Sequence, residues 1–181
     1  MRLISRGGSN PLVRTFLISL LARFFLYLKM ELNFSQLKSC LDKLKKDTNP
    51  KWGTMSSTEM LCHCNNFIEV SIGKKKISFT TKILGRIFGK LYLKYLISID
   101  FDINRFLKNS KTLKAFKSFP ISINFENQKD KLIKNIDLLD KIYSKQITHQ
   151  LYGKIKTKLF KRLMFFHTKY HFNQFSILKQ C

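Results

Sequence analysis

Residues 165–175 read FFHTKYHFNQF, which sets His167 and His171, two of the chain's four histidines, inside a run that is otherwise mostly aromatic. On a helix turning about 100° per residue, side chains four apart differ by about 40°, so the two imidazoles project side by side. Phe160, Leu163, Met164, Tyr170, Gln174 and Phe175 fall within about 80° of His167 on the same wheel. The spacing therefore predicts a helix over 157–176 whose buried stripe carries both histidines.

Working outward, the same construction around His63 brings Met60, Phe67, Val70 and Ser71 to its side, so His63 also faces inward. An imidazole buried without partners is costly, and a cationic one costs more. Either core groups satisfy the ring nitrogens, as for most buried histidines, or a divalent metal takes them. Two ligands at i and i+4 plus a third from a neighbouring helix would give three nitrogens and leave a position for water or substrate. Whether the two helices touch is not written in the sequence. Cys62 and Cys64 flank His63 and point about 100° to either side of it, so at most one could share its site; buried inert thiols are expected.

The rest of the chain reads as helices. Leu32, Leu37, Cys40, Leu41 and Leu44 have helical spacing within 31–47, and Pro50 and Gly53 break the pattern in TNPKWG. Ser56 and Glu59 have the spacing of a capping box, opening a second helix that runs to about Gly73. The apolar segment 80–99 predicts an extra helix containing Gly85 and Gly89; two glycines four apart often let another backbone come close. Residues 100–125 read as a long connection, 126–145 as a helix, and QITHQLYGKIK, 146–156, as a loop. No stretch alternates with period two for long enough to demand a sheet. The expected fold is all-α: a four-helix bundle with an extra helical segment between the second and third main helices.

The formal charge is +23 and the isoelectric point is near 10. The cations are scattered: DKLKK at 42–46, KKK at 74–76 and KIKTKLFKR at 154–162 lie far apart, and Lys greatly outnumbers Arg. Lys lacks the bidentate fork of the usual base-reading residue. A solvated basic surface is therefore favoured over a nucleic-acid or membrane-surface footprint. No CxxC spacing repeats among Cys40, Cys62, Cys64 and Cys181, so reduced thiols are expected.

PLVRTFLISLLARFFLYLKM, residues 11–30, is the most apolar stretch, yet its uncharged core, Thr15 to Ala22, is far short of the roughly 20 residues a membrane span needs. Residues 1–30 read as an N-terminal extension to a domain over 31–178, with Met30 as the natural start; a signal, transit or membrane-associated leader stays open. Removing Arg2, Arg6, Arg14, Arg23 and Lys29 takes the charge from +23 to +18, so the basic character belongs to the domain.

PKWGTMSSTEMLCHCNNFIEVSIGK, residues 50–74, resembles the opening motif WGxMxxxxMLxHxxxxxxxxxGx of the bacterial domain of unknown function 1569 family. THQLYGKIKTKLFKRLMFFHTKYHFNQF, residues 148–175, is similar to its closing motif, a loop His and Gly followed by HxxHHxxQF, and LGRIFGKLYLKYLI to its Gly-containing third segment. The resemblance covers about 31–176 and implies a DinB-like four-helix bundle with a metal site. Carried residue by residue, it implies His63, His167 and His171 as ligands of a divalent ion such as Zn, Ni or Fe. His149 matches the loop His, as a substrate contact, a support for the ligands or simply a loop residue. The family has His where this chain has Tyr170 and an acid where it has Lys169; Tyr170 and His149 are the candidate catalytic residues. Trp52 more naturally fastens the loop before the second helix than performs chemistry.

The resemblance thus implies a metal-dependent hydrolase or thiol transferase with a small-molecule substrate; the thiols point to the cytoplasm, and a homodimer stays open. The alternative is a non-catalytic basic binding or stress-response module on nucleic acid or a membrane surface.

Overall fold

The computed structural model of the chain describes residues 13–15, 32–110, 112–113, 116–117 and 119–181. Two compact units divide it, Met1–Leu32 and Asn33–Cys181, and of the first only Leu32 and a helical turn at 13–15 are described. The readings of residues 1–30, as an extension, a leader or a segment before a start at Met30, otherwise lie outside the described residues. No helix among the described residues is long and apolar enough to cross a membrane.

Asn33–Cys181 is mostly helical. Helix α1, Phe34–Leu41, starts where the Asn33 side chain accepts the Gln36 N–H, and it buries Phe34, Leu37, Cys40 and Leu41. It is shorter than the periodicity predicts. The N–H groups of Lys43 and Leu44 turn back to the carbonyls of Cys40 and Leu41, three residues earlier, so the apolar period reaches Leu44 through turns instead of α-helix.

Helix α2, Ser57–Ser71, opens on the expected capping box: Ser56 accepts the Glu59 N–H, and the Glu59 carboxylate accepts the Ser56 N–H at 2.8 Å. It ends before Gly73, whose φ of +82° suits glycine. Most of α2 is buried, including Asn65, which accepts from Asn135 at 2.9 Å and donates to the Gln128 carbonyl at 2.9 Å. This polar pairing fixes α2 against helix α4, Phe125–Asp140, in which both partners lie.

Helix α5, Thr157–Gln174, packs on α1, α2 and α4, and α1 also packs on α4. These four helices share a core that includes Leu37, Met60, Ile68, Leu132, Phe160 and Phe172. Helix α3, Phe79–Ser98, comes between α2 and α4 in the chain and leaves most of its length exposed.

Two features differ from the sequence reading. The segment read as a loop is a hairpin, strands β1 (Gln146–His149) and β2 (Gly153–Lys156) pairing antiparallel from Gln146↔Lys156 to His149↔Gly153. Four-residue strands are too short to establish a period-two pattern. Cys40 and Cys181, expected as free thiols, form a disulfide across 141 residues; Cys62 and Cys64 are free and buried. A pairing at that separation leaves no spacing signature.

The hairpin turn meets α3 where the glycines stand. A Cβ on Gly89 would lie 2.9 Å from the Leu151 carbonyl oxygen and 2.9 Å from the Tyr152 ring, and one on Gly85 would collide with the Leu151 side chain. The close approach anticipated for this pair is therefore to the hairpin backbone. Gly89→Ala should lower unfolding stability by about 1–3 kcal/mol, because overpacking against backbone outweighs the roughly 1 kcal/mol that Ala contributes in an open helix. Denaturant titration reads this directly, and equal or higher stability would contradict the approach.

Candidate metal centre

The packing of α2 on α5 brings His63 to His167 and His171. The Nε2 atoms of His63 and His167 are 3.1 Å apart, and one nitrogen from each of the three rings lies within 4.8 Å of the others. His63 and His171 are buried and His167 partly so.

Neighbouring groups decide which nitrogens are free. His63 Nδ1 donates to the Phe116 carbonyl at 3.1 Å, which leaves Nε2 with an exposed lone pair. His171 Nδ1 lies 2.8 Å from Gln174 Oε1, while Gln174 Nε2 donates to the Trp52 carbonyl at 2.6 Å. That carbonyl sets the amide so that its oxygen faces His171, which must then donate from Nδ1 and keep its own Nε2 lone pair. The His167 ring stacks on Phe67 at 3.8 Å, and its buried Nδ1 has no hydrogen-bond partner among the described residues.

The nitrogens of His63 and His171 thus gather on His167, the first at hydrogen-bond distance and the second within 4.8 Å. A proton on His167 Nε2 could serve only one of them, whereas a cation would take one lone pair from each ring. The 3.1 Å separation is close to the about 3.3 Å expected between two nitrogens of a tetrahedral site with bonds near 2.0–2.1 Å. The three residues could hold a metal ion.

Electrostatics keep the rings in the ligand form. Burial pushes His171 down to about 3, with the His63 charge acting in the same direction. Burial and the charges of His171 and His63 hold His167 well below the usual imidazole range. Burial also lowers His63, against the pull of the Phe116 carbonyl and together with Lys117. Neutral imidazole is what a metal binds.

The loop before α2 supports this arrangement. Gly53, at φ +83°, faces Gln174, and a Cβ there would lie 2.7 Å from Gln174 Nε2. The Trp52 indole N–H reaches the Tyr170 hydroxyl at 3.3 Å, and Lys108 sits over the indole ring at 4.9 Å. The Trp-Gly element therefore positions Gln174, which positions His171. Sequence reasoning placed Gln174 on the buried stripe but missed this role; an amide three residues past a candidate ligand was the available signal.

The two candidate catalytic residues are placed differently. Tyr170 lines the cavity below, with its hydroxyl 3.4 Å from the Leu107 carbonyl, a long contact. His149 is fully buried away from that cavity: Nδ1 accepts the Leu151 N–H at 3.0 Å, Nε2 donates to Ser71 Oγ at 2.8 Å, and Ser71 donates to the Phe67 carbonyl. This chain of bonds pins the hairpin turn to α2. Cys62 and Cys64 do not join the three-histidine group, and burial raises both thiols above their usual range.

A cavity of about 660 Å³ opens onto the imidazoles. Its walls are largely apolar and aromatic, with Phe67, Phe106 and Phe166 buried and Leu84, Phe88 and Tyr92 exposed. Comparison of the chain with protein-family models, with curated proteins and with solved structures finds no match.

Gln174→Leu should weaken metal binding about 10- to 100-fold, the usual cost of losing a hydrogen bond that orients a histidine ligand, while circular dichroism stays unchanged. Unchanged affinity in a metal titration would remove Gln174 from the support of the site. His149 gives a pH test. Burial holds it down at about 3 in the fold, against 6.5 for the free side chain. Its contribution to stability is thus complete above about 6.5 and drains away as the pH falls toward 3. His149→Asn should cost about 2–4 kcal/mol at pH 7.5, and the gap from wild type should narrow by about 1.4 kcal/mol per pH unit below 6.5. A gap independent of pH in denaturant titrations would show that His149 is not held neutral.

Proposed function

We propose that this chain is a DinB-like four-helix-bundle metalloprotein whose three-histidine ion serves a metal-dependent transferase or hydrolase reaction on a small molecule. One observation carries the reading. His63 and His171 are each held by a hydrogen bond at Nδ1, His63 Nε2 lies 3.1 Å from His167 Nε2, and one nitrogen of each ring lies within 4.8 Å of the others on the wall of a cavity. A site that served only to brace the fold would have no need of an opening onto such a space.

Bound there, a divalent ion supplies Lewis acidity that lowers the pKa of a coordinated thiol or water. The protein's own part is orientation and exclusion. The Phe116 carbonyl and Gln174 hold two ligand rings in the required tautomer, and Phe67 fixes the plane of the third. The aromatic walls exclude water and suit a substrate with a sizeable apolar part. The Tyr170 hydroxyl belongs to a residue that lines the same cavity, and its 3.4 Å contact to the Leu107 carbonyl is weak enough to exchange for a substrate atom.

Untagged protein should carry close to one equivalent of a divalent metal by elemental analysis. His167→Ala should lower metal affinity at least about 100-fold without loss of helical content. The metal-loaded protein should then be assayed for thiol transfer to electrophiles and for hydrolysis. Wild-type protein without affinity for Zn, Ni or Fe ends the reading. Metal retained and activity absent across both reaction classes would make the ion a structural one.

A further inference from the structure

Helix α3 is unlike the other helices: it turns its large apolar side chains outward. Phe79, Ile83, Leu84, Ile87, Phe88 and Leu91 are all exposed, Phe88 at 62% and Leu91 at 60%. At about 100° per residue, Ile83, Ile87 and Leu91 span about 80° of the helix, and Leu84 and Phe88 widen that stripe on one side. On its other side run Arg86, Lys90 and Lys94, four residues apart, and α3 holds no acidic residue. Outside the helix, Leu113 is also exposed and lines the cavity together with Leu84 and Phe88. Beside the basic row, Arg86 and Lys90 of α3 and Lys154 and Thr148 of the hairpin line a cleft of about 390 Å³ whose lining contains no acid.

We propose that this face of α3 docks on an anionic phospholipid surface, with Ile83, Ile87, Phe88 and Leu91 entering the headgroup–acyl boundary and a headgroup phosphate taken in the Arg86, Lys90 and Lys154 cleft. An exposed aliphatic stripe bordered by a row of cations is the pattern of a helix that lies in the plane of a membrane interface. Charge complementarity selects the occupant. Each cation near an anionic leaflet contributes about 1 kcal/mol. A second copy of a chain bearing +23 would instead set these cations against its own. Nucleic acid would meet the cations but has no use for five adjoining aliphatic and aromatic side chains. The same stripe borders the cavity mouth, so a docked molecule would open onto the lipid and admit an amphiphile from it.

The test is co-sedimentation of the full chain with vesicles of phosphatidylcholine alone and with about one third phosphatidylglycerol added. Wild type should partition onto the anionic vesicles at least about tenfold more strongly. Ile87→Ser combined with Leu91→Ser leaves the charge unchanged and, since neither residue lines the cavity, should lower that partitioning about tenfold or more. Arg86→Glu with Lys90→Glu should lower it at least as much, whereas Lys43→Glu with Lys45→Glu, the same charge change on the segment after α1, should lower it about threefold or less. Equal losses from the two charge pairs would mean general adsorption and overturn the proposal. So would wild-type partitioning in the double Ser variant. If light scattering shows a wild-type dimer that the double Ser variant abolishes, and neither protein binds vesicles, the face belongs to a second copy. Equal preference for an oligonucleotide over anionic vesicles would likewise overturn it. Metal loading does not enter these measurements, so their failure leaves the reading of the three-histidine site standing, and the converse.

Discussion

Three imidazoles share one low-dielectric interior, and the geometry around them follows from how their six nitrogens are satisfied. Two rings are committed at Nδ1 to acceptors on other parts of the chain, the Phe116 carbonyl and the Gln174 amide, and the third is clamped flat against Phe67. That leaves His63 Nε2 and His167 Nε2 at hydrogen-bond distance and a nitrogen of His171 within 4.8 Å of both, so a single proton between the first pair leaves the third ring unmatched. A buried polar group without a partner costs about 1–3 kcal/mol, and a cation shared by the three rings could relieve part of that cost. The Phe116 carbonyl bonds the cluster directly, and the Trp52–Gly53 loop reaches it through Gln174.

Much of this could be read from residue order because it depends on local periods. The stripe through Phe160, His167, His171 and Gln174 follows the helical repeat, as does the inward face of His63, and the Ser56–Glu59 box marks the start of α2. What could not be read depends on contacts between distant groups or on groups every residue carries. The partner of His63 is a main-chain carbonyl, which no side-chain pattern reveals. The role of Gln174 needs Trp52, more than a hundred positions earlier, to orient its amide. His149, read as a ligand support, a substrate contact or a loop residue, owes its burial to a hairpin whose four-residue strands carry no detectable period. The Cys40–Cys181 pairing is in the same class.

Total charge was a poor guide to surface chemistry, and position a better one. The cations are spread along the sequence, yet on α3 the helical repeat gathers Arg86, Lys90 and Lys94 into a row beside exposed aliphatic residues. The same helix forms one wall of the cavity and is braced chiefly where its glycines admit the hairpin turn. Leu151 and Tyr152, which meet those glycines, line the same cavity as the imidazoles.

The bond between Cys40 and Cys181 makes a covalent macrocycle of nearly the whole helical unit, with α5 leading into the closure. The segment after α5 is tied back to α1 through Cys181, so α5 and α1 cannot part at that end while the bond is intact. Loosening must begin elsewhere, and α3, with few buried side chains, is the weakest arc of the ring. Thermal breathing is thereby directed to the cavity wall, while the helix that carries two of the three imidazoles stays anchored at its far end.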